Sequence, residues 1–214
     1  MSWWTRWQRL NLPNRLTLAR IAAVPLLMVA LLSERLWGQY AALLIFIVAA
    51  ITDYWDGKIA RERKLETNFG RIMDPLADKL LMATVFICFV QMDLAPAWMV
   101  ILIIGREFAI TGLRVLAAVQ GRVIAASQAG KHKTISQIVA VILILTVNVV
   151  VASLQAWMPP WEQTVLAWGA VGRVLRGFAQ HAPYWAMFVV ALLSLYSGVE
   201  YLEKNKELWQ EHSA

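Results

Sequence analysis

The sequence predicts an all-α integral membrane protein with six transmembrane helices, preceded by a short amphipathic interfacial helix. Three observations carry that expectation. Of 214 residues, 59% are apolar and 16% charged, where soluble domains carry about 45–50% and about 25%. The mean hydropathy is +0.55, and eleven tryptophans are present. Six apolar segments follow one another, and the length suits spans of about 20 residues each. The same composition excludes a disordered chain. The single Cys88 excludes an intrachain disulfide framework, and no spacing points to a cysteine-based zinc site.

The amino-terminal stretch, MSWWTRWQRLNLPNRLT, holds Arg6, Arg9 and Arg15 with no long apolar core and no small-residue cleavage site after it. It is therefore not read as a secretory signal peptide. On a helix Trp3, Trp4, Trp7 and Leu10 share one side, with Arg9 opposite and Arg6 on the flank. Residues 1–15 are expected to lie in the membrane interface. The membrane domain is then 16–201, with spans near 16–33, 37–57, 74–92, 95–118, 134–155 and 183–201, and 202–214 forms a cytoplasmic tail. Only the last two spans draw on uncharged runs of 18 residues or more. The other runs, 21–33, 36–52, 80–92 and 94–105, become full spans only by taking in charges. A charge inside a span costs about 2.5–3.5 kcal/mol on insertion scales, so such residues line a cavity, pair, or hold an ion. The stretch 156–182, with Pro159, Pro160, Gly169 and Gly172, is expected to be an external loop with a re-entrant or surface helix.

Lys and Arg set the orientation. Thirteen of them lie in the amino terminus, the 58–73 and 119–133 loops and the carboxyl tail, whereas the opposite side holds only Arg35, Arg173 and Arg176. Both termini are expected in the cytoplasm, and the net charge of +6 reads as attraction to an anionic inner leaflet. Nucleic acid is not an expected partner, because no soluble basic module exists.

The second and third spans carry a carboxylate constellation. Asp53 and Asp56 are three residues apart, and Asp74 and Asp78 four apart, so each pair projects from one helix face. If the two spans are antiparallel neighbours, the four carboxylates meet near the cytoplasmic boundary, where their mutual repulsion calls for counter-charge. Hard oxygen donors suit Mg²⁺, Mn²⁺ or Ca²⁺, and four Asp can share two ions. Gly57 and Ala60 clear bulk beside the first pair, Gly70 does so ahead of Asp74, and Arg61 offers a planar fork for a phosphate. Such a site suits phosphoryl-type substitution on a diphosphate.

The pattern Asp53-x2-Asp56-Gly57-x2-Ala60-Arg61-x8-Gly70-x3-Asp74-x3-Asp78 resembles the signature of the CDP-alcohol phosphotransferases at every fixed position, eight residues over 26. The resemblance implies six transmembrane helices, a homodimer and a site open to the cytoplasmic leaflet of a bacterial inner membrane. It implies that Asp53, Asp56, Asp74 and Asp78 bind two Mg²⁺ or Mn²⁺ ions, with Asp78 also the base. Gly57, Ala60, Arg61 and Gly70 would receive the CDP moiety of CDP-diacylglycerol, with Asn14 and Thr17 assisting or capping the first helix. The run from Asn11 to Arg20, GREFAITGLR at 105–114 and IAASQAGKHKT at 124–134 are similar to the phosphatidylglycerophosphate synthase branch, which implies sn-glycerol 3-phosphate as acceptor. Arg106, Arg114, Lys131 and Lys133 are the candidate pocket for its phosphate. Leaflet anchoring is the competing reading for the last three, and Glu107 is placed to offset Arg106. Sequence alone does not place Arg20 relative to the carboxylates. A cardiolipin synthase or an inositol-phosphate transferase would share this core. Outside the family an ion transporter would also hold intramembrane carboxylates, although transporters often show paired repeats and the acidic cluster occurs once. The spacing does not fit a membrane prenyltransferase.

Overall fold

The computed structural model describes residues 12–62, 68–119, 128–158 and 160–206. The amino-terminal interfacial segment therefore lies outside the described residues up to position 11. The described chain is helical, with no strand. Its elements are α1 (Leu12–Leu31), α2 (Leu36–Glu62), α3 (Asn68–Gln91), α4 (Ala97–Val119), α5 (Gln128–Trp157), the short α6 (Trp161–Leu166) and α7 (Ala170–Lys204). Four stretches are long and apolar enough to cross a bilayer: 14–31 in α1, 36–53 in α2, 132–157 in α5 and 170–204 in α7. The remaining long helices, α3 and α4, carry Asp74, Asp78 and Lys79, and Arg106, Glu107 and Arg114. The protein is an all-α membrane protein. Large apolar side chains such as Leu26, Val29, Leu44, Ile101 and Val139 face outward, which in water would be an aggregation hazard and in lipid is the solvated state.

The helices form two compact units. The first takes the chain to Phe89 together with Leu145–Thr164, and the second takes Val90–Ile144 and the chain from Val165. In the first unit α1 and α2 form an antiparallel hairpin. Leu32 N–H donates to Met28 O at 3.0 Å to finish α1, and Gln39 Nε2 donates to Ser33 O at 2.8 Å across the turn. Gly38 allows the close approach, because a Cβ there would lie 2.4 Å from Ser33 Cβ. Tyr40 and Ser153 share a hydroxyl hydrogen bond of 3.0 Å, which sets the start of α2 beside the end of α5. Trp37 and Trp157, 81% and 79% exposed, mark that end, as expected of aromatic side chains at a headgroup boundary.

In the second unit α4 packs against α7. Trp98 meets Phe188 edge-on at 6.4 Å, Arg106 reaches Ser197, and Arg114 covers Tyr201. The contacts advance together along both helices, so α4 and α7 run parallel. The expected 156–182 loop is corrected here. Its short helix is present as α6, but residues 170–182 belong to α7, which is continuous for 35 residues. Gly169, at φ 69°, supplies the left-handed residue that ends the turn. Gly172 is helical rather than a breaker, and it is there because α7 passes against the preceding segment. Pro183, which read as a helix start, lies inside α7. Similarly α3 begins at Asn68, so Asp74 and Pro75 lie inside a helix and not at its first turn; tertiary packing overrides the proline preference.

A Cβ on Gly172 would sit 1.7 Å from Val165 O, whereas nothing lies within 4 Å of one on Gly177. Gly172→Ala should therefore destabilise the detergent-solubilised protein by about 2 kcal/mol or more, read as a fall in thermal midpoint. Gly177→Ala should change it by less than about 1 kcal/mol.

Candidate active site

The site in the first unit is built on α1. This apolar helix buries three polar side chains, Asn14, Thr17 and Arg20, spaced three residues apart so that they follow one side of it. Burying a guanidinium is costly unless it is paired. Arg20 Nη1 is paired with Asp53 Oδ1 of α2, and Thr17 Oγ1 donates to Asp74 Oδ1 of α3. Thr17 and Arg20 are one turn apart, with Cβ atoms about 5–6 Å from each other. One turn of α1 thus draws together one carboxylate from each half of the predicted constellation. Asp78 lies a turn beyond Asp74 on α3, and Gly70, buried, a turn before it. The Asp53 side chain is 44% exposed, which leaves the carboxylate accessible to a ligand.

Asp56, Gly57, Ala60 and Arg61 all lie on α2, on the turns following Asp53, and their side chains are outside the described ones. Among the described residues, no group of three or more His, Cys, Asp or Glu is placed to hold a metal ion. Asp56 is the member of the four that this leaves out. The donor set, all carboxylate oxygens, is by its chemistry one for hard divalent cations rather than for zinc or a softer metal.

The second unit holds the cationic residues. Lys133, buried on α5, is ion-paired with Glu107 of α4. Glu107 Oε1 is also 3.7 Å from Arg106 Nη1, so one carboxylate ties two of the predicted cations together. Arg106, with 11% of its side chain exposed, donates from Nη2 to Ser197 Oγ of α7 at 2.7 Å. Arg114 lies two turns along α4, its guanidinium carbon 5.5 Å from the Tyr201 ring centroid, which is a cation–π contact. Lys131 is on α5 near its start, its side chain outside the described ones.

Two residues escaped the sequence reading, and a third, Arg20, was left unplaced by it. Arg20 had a legible signal, a charge inside a span in register with Asn14 and Thr17. Ser197 and Tyr201 had none, since a serine and a tyrosine in an apolar run are ordinary until a cation from another helix is seen against them.

Comparison with known proteins agrees with the motif. The family model for CDP-alcohol phosphatidyltransferase matches residues 10–175. The chain is 41% identical over 209 residues to a Bacillus subtilis (strain 168) protein named CDP-diacylglycerol–glycerol-3-phosphate 3-phosphatidyltransferase, covering 92% of this chain and 96% of that one. A Rickettsia felis protein of the same name is 38% identical over 135 residues, 63% of this chain and 75% of its own. A rice (Oryza sativa subsp. japonica) protein named cardiolipin synthase (CMP-forming) is 39% identical over 150 residues, 64% of this chain and 46% of its own. The match spans both carboxylate pairs and all four predicted cations, and the chain belongs to the CDP-alcohol phosphatidyltransferase family.

Proposed function

We propose that the protein transfers the phosphatidyl group of CDP-diacylglycerol to sn-glycerol 3-phosphate, giving phosphatidylglycerol phosphate and CMP. The observation that carries this reading is the convergence of Asp53 and Asp74 on one turn of α1, within a chain that aligns almost end to end with a relative named for that reaction. Asp53, Asp56, Asp74 and Asp78 are the residues that would hold two Mg²⁺ or Mn²⁺ ions. Bound there, such ions would neutralise the diphosphate and the charge that grows on departing CMP.

The chain's own residues do the rest. Gly57, Ala60 and Gly70 leave room for the CDP group, Arg61 pairs with a phosphate oxygen, and Asn14 and Thr17 assist diphosphate or metal binding, Thr17 through its hydrogen bond to Asp74. Arg106, Arg114, Lys131 and Lys133 take the acceptor's phosphate. Arg106 supports this, because its Nε is buried with no hydrogen-bond partner among the described residues, a donor left for an anion. Asp78 accepts the proton of the acceptor's free primary hydroxyl as that oxygen bonds to the β-phosphorus. The bond between that phosphorus and the CMP oxygen breaks, and CMP leaves with the electron pair. The distribution of Lys and Arg supports an inner-membrane enzyme with both termini and the carboxylates on the cytoplasmic side, and the family resemblance supports a homodimer.

Purified enzyme supplied with labelled CDP-diacylglycerol and a panel of acceptors should release CMP with sn-glycerol 3-phosphate and at most weakly with phosphatidylglycerol or inositol phosphate. Preference for phosphatidylglycerol would instead make it a cardiolipin synthase, the activity named for the rice relative. EDTA should stop turnover and Mg²⁺ or Mn²⁺ restore it. Asp78→Asn should lower kcat by at least about 10²-fold with an unchanged thermal midpoint; normal turnover would remove Asp78 as the base. Lys133→Ala should raise KM for glycerol 3-phosphate by about tenfold or more, and far more than KM for CDP-diacylglycerol.

A further inference from the structure

Arg106 and Arg114 are long side chains with about 2 kcal/mol of rotamer entropy each, and a guanidinium recognises a phosphate only when its fork is held in one orientation. The hold comes from α7. Ser194, Ser197, Gly198 and Tyr201 fall at helical spacing on one face of it, and all four are buried, on the helix that packs against α4. Each of three contacts differs in kind. The Ser197 hydroxyl accepts the hydrogen bond from Arg106 Nη2 at 2.7 Å. Gly198 leaves the space through which the Arg106 stem runs: a Cβ there would be 3.0 Å from Arg106 Cγ and 3.7 Å from Nε. The Tyr201 ring, itself buried, lies beneath the Arg114 guanidinium.

A plain packing role explains these contacts less well. Small residues on one face of a membrane helix let a partner helix approach closely, but here the space beside Gly198 is taken by a charged side chain. A serine within an apolar helix commonly bonds to its own backbone; this one receives the arginine.

We propose that Ser197, Gly198 and Tyr201 are positioning residues that fix Arg106 and Arg114 for the phosphate of the acceptor, so that the last helix, outside the carboxylate motif, determines selectivity for a phosphorylated alcohol. The proposal rests on Arg106 and Arg114 being the acceptor-phosphate site. Its test is steady-state kinetics of the full-length enzyme in detergent, with KM for glycerol 3-phosphate and for CDP-diacylglycerol measured separately. Ser197→Ala should raise the first by roughly tenfold, the loss of one hydrogen bond to a charged group, and leave the second within about twofold. Ser197→Thr should restore it. Gly198→Val should raise the same KM at least as much and Gly198→Ala by less, because an arginine stem yields to one methyl more readily than to an isopropyl group. Tyr201→Leu should raise it and Tyr201→Phe should not. A structural role alone would lower the thermal midpoint and disturb both KM values together, and that result overturns the proposal. Where Gly198→Val fails to fold, the Ser197 pair decides. Arg106→Ala, run alongside, separates the two readings. If it leaves KM for glycerol 3-phosphate unchanged, the acceptor site falls and the positioning role with it. If it raises that KM while Ser197→Ala and Gly198→Val do not, only the positioning role falls.

Discussion

A charge in hydrocarbon must be matched by another group, and in this chain the matching is done between helices. Arg20 of α1 finds Asp53 of α2, Thr17 of α1 finds Asp74 of α3, and Lys133 of α5 finds Glu107 of α4. Arg106 of α4 ends on a hydroxyl of α7. An unmatched ion within a span costs several kcal/mol, comparable to a sizeable part of a protein's net stability. The helices are therefore not free to choose any register that buries their apolar faces. They take the one in which these groups meet.

The carboxylate motif was legible because its geometry is local. Spacings of three and four put Asp53 with Asp56 and Asp74 with Asp78 before any tertiary structure is known, and a span that must absorb charges announces that they have a use. Helix existence was legible for a related reason: apolar run length is a composition property, and each long helix among the described residues overlaps an expected apolar segment, although α7 starts well before its own. What pairs across helices was not. No spacing rule connects Arg20 to Asp53, 33 residues away, or Arg106 to Ser197, 91 away. A hydroxyl in an apolar helix gives no sign of whether its partner is its own backbone or a cation.

The misreading of 156–182 has the same origin. Gly169, Gly172 and Pro183 count as breakers when each is judged by propensity, and only Gly169 acts as one. Gly172 is helical and is needed for the approach of Val165 O, a requirement that exists only once the chain has turned back on itself. Propensities of about 1 kcal/mol for glycine are outweighed by the packing and backbone hydrogen bonding that an apolar medium enforces. Glycine in such a chain is as often a sign of close approach as of a loop.

The energetics also bear on why polar groups occupy these positions at all. A pair of leucines in place of Arg20 and Asp53, or of Glu107 and Lys133, would pack without any desolvation penalty, and replacing buried ion pairs with apolar side chains is often neutral or stabilising by about 1–4 kcal/mol. Stability therefore does not account for them. The proposed phosphoryl-transfer site would account for them, because such chemistry needs carboxylates and cations held in place inside a medium that disfavours both. Asp53, though paired with Arg20, keeps 44% of its side chain exposed. Glu107 is paired with Lys133 and also lies 3.7 Å from Arg106 Nη1, while the Arg106 guanidinium donates in addition to the neutral Ser197 hydroxyl. With a hydroxyl rather than a second carboxylate at position 197, Arg106 and Lys133 face the single carboxylate of Glu107, an excess of positive charge that the phosphate of the proposed acceptor would balance.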